Sequence, residues 1–299
     1  MNLRFVEAFY WVATLKSVSR AAEKLFITQS AMSARVAALE DELGALLLDR
    51  RDKTFRLTVA GSRFLVHAQK LLELQRTAKA EIGSGTAPEI TVRVGAIESV
   101  LHSWLIPWIE TLRAKYPALE LELTVETTPV LLDQIRRGVL DLAFAALPAS
   151  GEGIRAVSLP NMEMCIVGTT DTHRKRRYSL GDIAEFDLLT FQRGSQPHVG
   201  LLDLLKGEKV QSRKVHTISS ISAMLQLVQG GFGIATLPKA AVLRLSESRN
   251  IKALLCDSIL TPLPIHASYR LDPTALMAEQ LLASAVEYAG SASQYRKKR

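Results

Sequence analysis

The 299-residue chain reads as an α/β protein. An N-terminal winged helix-turn-helix spans 1–58, a long linker helix and hinge 59–87, and a two-lobed α/β domain 88–295. Three observations predict this. Two helical apolar patterns lie close together between Ser17 and Glu40, with the first stretch of that pair at about 18 and the second ending near 37. A helical pattern without proline then runs from Thr58 to Ile82. After Pro88 the texture changes to strands alternating with helices, which builds sheets covered by helices.

The first helix runs from about Leu3 to Leu15, with Leu3, Val6, Phe9, Tyr10 and Ala13 on its apolar side. Val18, Ala21, Ala22 and Leu25 recur with helical spacing, and the small pair Ala21-Ala22 lets another helix cross closely. Thr28 is placed to cap the next helix, its hydroxyl accepting from free N–H groups of the first turn. That helix sets Met32, Val36, Leu39 and Leu43 at i, i+4, i+7 and i+11, one core-facing stripe. Ser30, Ser33, Ala34 and Ala37 face the other way, with Gln29 at the start and Arg35 on the flank. A small, neutral, polar face suits entry into a major groove, where Gln, Ser and Arg side chains reach base edges. The candidate DNA contacts are Ser19, Arg20, Thr28, Gln29, Ser30, Ser33, Ala34 and Arg35, together with Arg50, Arg51 and Lys53 in the wing.

Net charge is +7, and its distribution matters more than its size. Residues 1–58 carry nine Lys/Arg against seven Asp/Glu, whereas residues 88–295 carry twenty against twenty-one. Bulk basicity therefore says little about DNA; the local cluster Arg50, Arg51, Lys53 and Arg56 says more, since phosphate neutralisation makes affinity fall steeply with salt. The basic tail Arg296-Lys297-Lys298-Arg299 receives no function.

In the linker helix Phe64, Leu65, Ala68, Leu71, Leu72, Ala78 and Ile82 recur at mostly helical intervals. No globular neighbour adjoins it in sequence, so pairing with a second copy buries its stripe. Gly83-Ser84-Gly85-Thr86-Ala87-Pro88 then acts as a hinge. Beyond it, Ile90–Gly95, Leu119–Val125 and Leu140–Ala145 read as strands, with helices around 101–116 and 130–137 between them. The same rhythm resumes from Met162 to Thr190 and through Gly233–Leu237, predicting mostly parallel sheets.

The order of these features resembles the LysR-type transcriptional regulators along nearly the whole chain. Thr28-Gln29-Ser30-Ala31-Met32-Ser33, then Leu39-Glu40 and Leu43-Gly44, match that family's reading helix. Leu47 to Lys53 and Leu57-Thr58-Val59-Ala60-Gly61 match its wing. Tyr116-Pro117, Gly138 to Asp141, Gly231-Phe232-Gly233-Ile234-Ala235 and Leu237-Pro238 match motifs of its C-terminal domain. Leu48 stands where Phe is common, and Ala34-Arg35 where Arg then Gln is common. The resemblance implies a periplasmic-binding-protein-like effector domain with lobe I at about 88–161 and 268–295 and lobe II at about 162–267. It also implies a cytoplasmic homodimer or homotetramer that binds promoter DNA under control of a small-molecule effector.

In open α/β sheets ligands sit beyond the carboxyl ends of strands, near helix N-termini. That rule nominates Glu98, Ser99 and Val100, then Thr127 and Thr128, then Arg193 and Ser195, with Phe191 and His198 beside them. Ser99, Thr128 and Ser195 can donate hydrogen bonds, and Arg193 can hold a carboxylate through two parallel N–H bonds, so a small polar or anionic effector is expected.

Other chemistries find little support. Gly230-Gly231-Phe232-Gly233 follows a helix and precedes a strand, the reverse of a dinucleotide fingerprint. His67, His102, His173, His198, His216 and His266 lack metal-ligand spacing, so neither cofactor nor metal is expected. Cys165 and Cys256 lie in apolar runs and read as reduced thiols. Arg174-Lys175-Arg176-Arg177 reads as an exposed loop. No apolar run reaches the length of a membrane span. The competing class is a small-molecule binding protein or enzyme with an incidental N-terminal helical domain, and residues 88–295 alone do not separate it from a regulator.

Overall fold

A computed structural model describes the protein at residues 1–49, 56–82, 90–151, 153–245, 250–271 and 276–296. In the N-terminal domain α1 (Leu3–Leu15) is capped by Asn2, whose side chain accepts from the Arg4 N–H at 2.9 Å. Ser17 caps α2 (Val18–Lys24), and Thr28 caps α3 (Gln29–Leu43) as its sequence position predicts, its hydroxyl accepting from the Ala31 N–H at 3.2 Å. Phe9, Trp11, Ala21, Ala22, Met32, Val36 and Leu39 form one buried core. Leu43, expected to extend that stripe, is exposed, because α3 ends directly after it at Gly44, whose φ of +62° turns the chain away.

The wing is a two-stranded antiparallel ribbon of β1 (Leu48–Asp49) and β2 (Arg56–Leu57). Buried Glu40 ties it to α3 by accepting from the Leu47 and Leu48 N–H groups at 2.8 and 3.0 Å. Thr58 then opens α4 (Val59–Ile82), accepting from the Gly61 N–H at 2.9 Å. A Cβ on Gly61 would lie 2.0 Å from the Leu47 carbonyl oxygen, so only glycine lets α4 approach the wing this closely.

The first half of α4 does have a globular neighbour, contrary to the sequence expectation. Phe64 packs on Phe9 with ring centroids 5.5 Å apart, and Ala68 and Leu72 are buried in the same core. Val59, Val66 and Leu74 are exposed instead. At 100° per residue these three point away from Phe64, Ala68 and Leu72, so the helix has two apolar faces.

Lobe I contains β3 (Ile90–Ala96), α5 (Glu98–Val100), a π-helical turn Leu101–Leu105, α6 (Ile106–Lys115), β4 (Leu119–Val125), α7 (Thr128–Arg136), β5 (Leu142–Ala145) and β6 (Ile154–Met162). Lobe II follows with β7 (Met164–Thr169), α8 (Leu180–Ala184), β8 (Asp187–Thr190), α9 (Gln196–Gly207), β9 (Lys214–Thr217), α10 (Ile221–Gln229), β10 (Ile234–Pro238), α11 (Lys239–Leu245) and β11 (Ile251–Leu254). The chain then returns to lobe I as β12 (Leu263–Arg270) and ends in α12 (Leu276–Arg296).

The five-stranded sheets run β4-β3-β5-β12-β6 and β11-β7-β10-β8-β9. Each contains two parallel and two antiparallel pairings, so the expectation of mostly parallel sheets is corrected to mixed ones. The physical reason is the pair of crossings: β6 passes directly into β7, and β12 re-enters lobe I between β5 and β6, each against its neighbours. The return also comes earlier than expected, since β12 joins the lobe I sheet from Leu263 rather than near 268. Trp104, Trp108 and Phe144 pack edge to face at the centre of lobe I, and the Trp108 indole donates to the Ser284 hydroxyl at 3.2 Å.

Candidate nucleic-acid interface and interlobe cleft

Burial of Met32, Val36 and Leu39 fixes which side of α3 looks outward. Thr28, Gln29, Ser30, Ser33 and Ala34 are exposed on that side, and Arg35 is half-buried on its flank. Ser19 and Arg20 are exposed in the first turn of α2. The eight nominated residues of the helix pair thus include seven exposed ones around the α2–α3 turn, held by a rigid core. Arg50, Arg51 and Lys53 lie outside the described residues; the two strands of the wing are anchored through Glu40 and Thr58.

The second candidate site follows from strand direction. β3, β4 and β5 are mutually parallel, so the segments after them share one edge of lobe I. These are Glu98–Val100, Thr127–Thr128 and Ala146. β8, β9 and β10 are likewise parallel, placing Phe191–Ser195, Ile218–Ser220 and Lys239 on one edge of lobe II. The two edges meet at Glu98. Its carboxylate accepts from the Ser220 hydroxyl at 3.1 Å and from the Ile221 N–H at 2.5 Å, at the N-terminus of α10. His102, one turn along, stands 3.8 Å from the same carboxylate. Burial works to raise the Glu98 carboxyl, but hydrogen bonds from His102, Ile221 and Ser220 outweigh it and hold the group below the usual carboxylate range. The arrangement is a charged latch between lobes, with an internal anion seated at a helix N-terminus.

The other nominated residues divide. Thr128 uses its hydroxyl to accept from the Ala146 N–H at 3.2 Å, tying α7 to the end of β5, while the Thr127 side chain makes no cap bond. Ser99 is buried, and its carbonyl accepts from the Ser103 hydroxyl at 2.6 Å. Val100 is a wholly buried member of the lobe I core. In lobe II Phe191 is half-buried against the core and Arg193 is exposed. His198 accepts from the Gly194 N–H at 3.3 Å and so shapes the turn into α9. At the start of that helix Ser195 Oγ and Gln196 Oε1 are buried without a hydrogen-bond partner among the described residues. Unpaired buried polar atoms are costly, so each calls for a partner.

Sequence reasoning missed Ser220, Ile221 and His102. The strand-end rule would have found the first two, since Ser219-Ser220 follows a short strand and opens a helix. His102 did carry a signal, since it stands four residues after Glu98, the spacing that sets two side chains one turn apart on a helix face.

Of the remaining groups, Cys165 and Cys256 are free and partly shielded, and burial pushes the Cys165 thiol up to about 12. Two of the four cations of the basic run in lobe II are paired within the lobe, Lys175 with Asp182 at 2.7 Å and Arg177 with Asp257 at 3.2 Å. Among the described residues no His/Cys/Asp/Glu group could hold a metal ion, and no helix is long and apolar enough to cross a membrane.

Comparison with known proteins matches both halves. Residues 3–62 fit the model described as "Bacterial regulatory helix-turn-helix protein, lysR family", and residues 86–289 fit the "LysR substrate binding domain". A probable hydrogen peroxide-inducible genes activator of Mycobacterium avium is 31% identical over 242 residues, covering 79% of this chain and 78% of that one. The transcriptional regulator YofA of Bacillus velezensis is 28% identical over 82% of this chain and 84% of its own. Among solved structures, a full-length OxyR variant from Pseudomonas aeruginosa aligns with a TM-score of 0.63 at 23% identity, covering 96% and 94% of the two chains. Full-length CbnR complexed with its target DNA aligns at 0.56 and 19% identity, covering 97% and 100%. At those identities the structural likeness speaks for the fold.

Proposed function

We infer function from a plain premise: the chain belongs to the LysR family and is a DNA-binding transcriptional regulator with an effector-binding domain. We propose that α3 enters the major groove and that Gln29, Ser30, Ser33 and Arg35 read base edges. In this reading Ser19, Arg20 and Thr28 meet the sugar–phosphate backbone, and Ala34 permits close approach. Arg50, Arg51 and Lys53 supply phosphate contacts from the wing. The observation that carries the reading is the two-sidedness of α3, with Met32, Val36 and Leu39 wholly sequestered while Gln29, Ser30, Ser33 and Ala34 stand free in solvent.

The exposed stripe Val59, Val66 and Leu74 supports pairing of α4 with a second copy, which would set two reader helices at a fixed spacing. Dimers of this kind, or tetramers formed through the C-terminal domains, act in the cytoplasm. The unpaired Ser195 and Gln196 atoms, the exposed guanidinium of Arg193 and the Glu98 latch support an effector site between the lobes, for a small polar or anionic molecule. Such a ligand acts through its differential affinity for open and closed lobes, and that difference alters half-site spacing or DNA bending. The name of the Mycobacterium avium relative raises peroxide sensing as a second reading. A Cys165 thiol near 12 disfavours it, because the thiolate is the reactive form. No observation favours the alternative of an enzyme or plain binding protein with an incidental helical domain.

Mobility shift of the full chain on DNA from upstream of its own operon tests the reading. Sequence-preferring binding that weakens steeply with salt is expected; salt-insensitive or indiscriminate binding, there and in a genomic selection, contradicts it. In the same assay Arg193→Ala should remove the effector response and leave operator binding intact.

A further inference from the structure

The turn of the helix-turn-helix is built unusually. Phe26, between α2 and α3, has a φ of +51°, in the left-handed region that a bulky side chain rarely adopts. Its ring is largely exposed, at 68%, so it is not held there by the domain's own core. The turn's own backbone holds it there as a left-handed C-cap of α2, the Phe26 N–H donating to the Glu23 carbonyl at 3.2 Å and the Ile27 N–H to the Ala22 carbonyl at 3.0 Å. This cap aims the exposed ring at lobe I. The Arg93 guanidinium, on β3, stacks over the Phe26 ring at 4.0 Å.

Three further contacts surround this one. Lys24, at the end of α2, is only 8% exposed and pairs with Asp141, which also accepts from the Arg93 N–H at 3.0 Å. Glu23 pairs with Arg137 at 2.8 Å. Gly138, at φ +70°, lies where a Cβ would meet Leu15 at 3.4 Å and Lys24 at 3.6 Å, so the backbone of lobe I approaches the N-terminal domain closely. Two ion pairs, a cation–π contact and a close backbone approach occupy one patch. They use the C-terminal ends of α1 and α2, whereas the proposed DNA contacts of the helix pair lie at the first turn of α2 and around α3.

We propose that the helix-turn-helix domain docks on the amino-terminal edge of lobe I through Glu23, Lys24 and Phe26, leaving the reading face open, and that lobe I carries the reader as its mount. Asp141 and Arg93 sit where β3 and β5 begin to pair; Glu98 follows the far end of the same β3 strand. About 10 Å of strand from Arg93 to Ala96, at 3.3 Å per residue, and the cap residue Ile97 therefore separate the reader's clamp from the interlobe latch. A change at the latch reaches the reader through a single paired strand. This route rests on the effector reading above, but the docking itself does not.

Hydrogen–deuterium exchange of the full chain, without DNA or effector, tests the docking independently of the regulator reading. Arg137→Glu should raise exchange about threefold in both 20–27 and 137–141. The charge swap Glu23→Arg with Arg137→Glu should restore both segments. Phe26→Gly relieves the positive φ and should leave the unfolding midpoint of the N-terminal domain unchanged or higher, yet raise exchange at 137–141. The proposal is overturned if Arg137→Glu leaves 20–27 unchanged, if the swap restores neither segment, or if Phe26→Gly has no effect at 137–141.

Discussion

The two lobes share a sheet plan and differ in what they hold. Written as β4-β3-β5-β12-β6 and β9-β8-β10-β7-β11, the sheets have the same succession of parallel and antiparallel neighbours. Their facing edges are opposite in character. Lobe I presents an acceptor, the Glu98 carboxylate, whereas lobe II presents donors, the Ser220 hydroxyl and the first amides of α10. Lobe I also holds two of the three tryptophans and makes the contacts with the N-terminal domain, while the third tryptophan, Trp11, lies in that domain. One scaffold used twice thus yields a mount and a jaw, and residues at strand ends decide which is which.

The largest effect that would sharpen this comparison is on the mount. Trp108→Ala removes a wholly buried ring from the lobe I core and should cost about 3–5 kcal/mol of stability, read as a lowered urea midpoint by circular dichroism. Gly233→Ala attacks the jaw, because its Cβ would lie 2.1 Å from the Asp187 carbonyl oxygen; about 1–3 kcal/mol should be lost. Because no tryptophan lies in lobe II, fluorescence follows that loss only if the lobes unfold together. A circular-dichroism midpoint that falls while fluorescence stays put would make them independent units.

A smaller effect is expected at the latch. Glu98→Gln keeps an acceptor but removes the charge, and should weaken lobe closure by about 1.5–3 kcal/mol, seen as an increased radius of gyration in solution scattering. The pH dependence has a definite sign. Because the folded group titrates below its usual range, its stabilisation is complete above that range and is lost as pH falls through the lowered value. Wild-type lobes should therefore loosen in acid, and Glu98→Gln should abolish the group's share of that response. The smallest effect is at Cys165, whose thiol near 12 leaves roughly one part in ten thousand as thiolate at pH 8. Alkylation of native protein should spare it, and labelling should appear only on unfolding.

Legibility in the sequence followed the range of the interactions. The first helix, the Thr28 cap and the outward set on α3 depend on residues within one or two turns, and periodicity exposes them. Gly61 carried a motif signal whose cause, contact with the Leu47 carbonyl, needs the folded wing. The mixed sheets were hidden because strand direction is set by crossings far apart in sequence, at β6–β7 and β12. The candidate cleft was half legible. Glu98 was found by its place after a strand, but its partners Ser220 and Ile221 lie more than a hundred residues away, and only the closed lobes bring them together. The burial of Val100 was hidden for a related reason, since a strand-end position does not say whether a side chain faces the cleft or the core.

The central claim is that α3 chooses the sequence while the rest of the molecule sets spacing. Selection from a random DNA pool, run in parallel with wild type and Gln29→Ala, tests it most directly. Wild type should enrich two related half-sites at a fixed separation. Gln29→Ala should keep that separation and lose base preference at one position in each half-site, by about 1–3 kcal/mol. An unchanged motif with Gln29→Ala, or a wild-type pool without paired half-sites, would contradict the account.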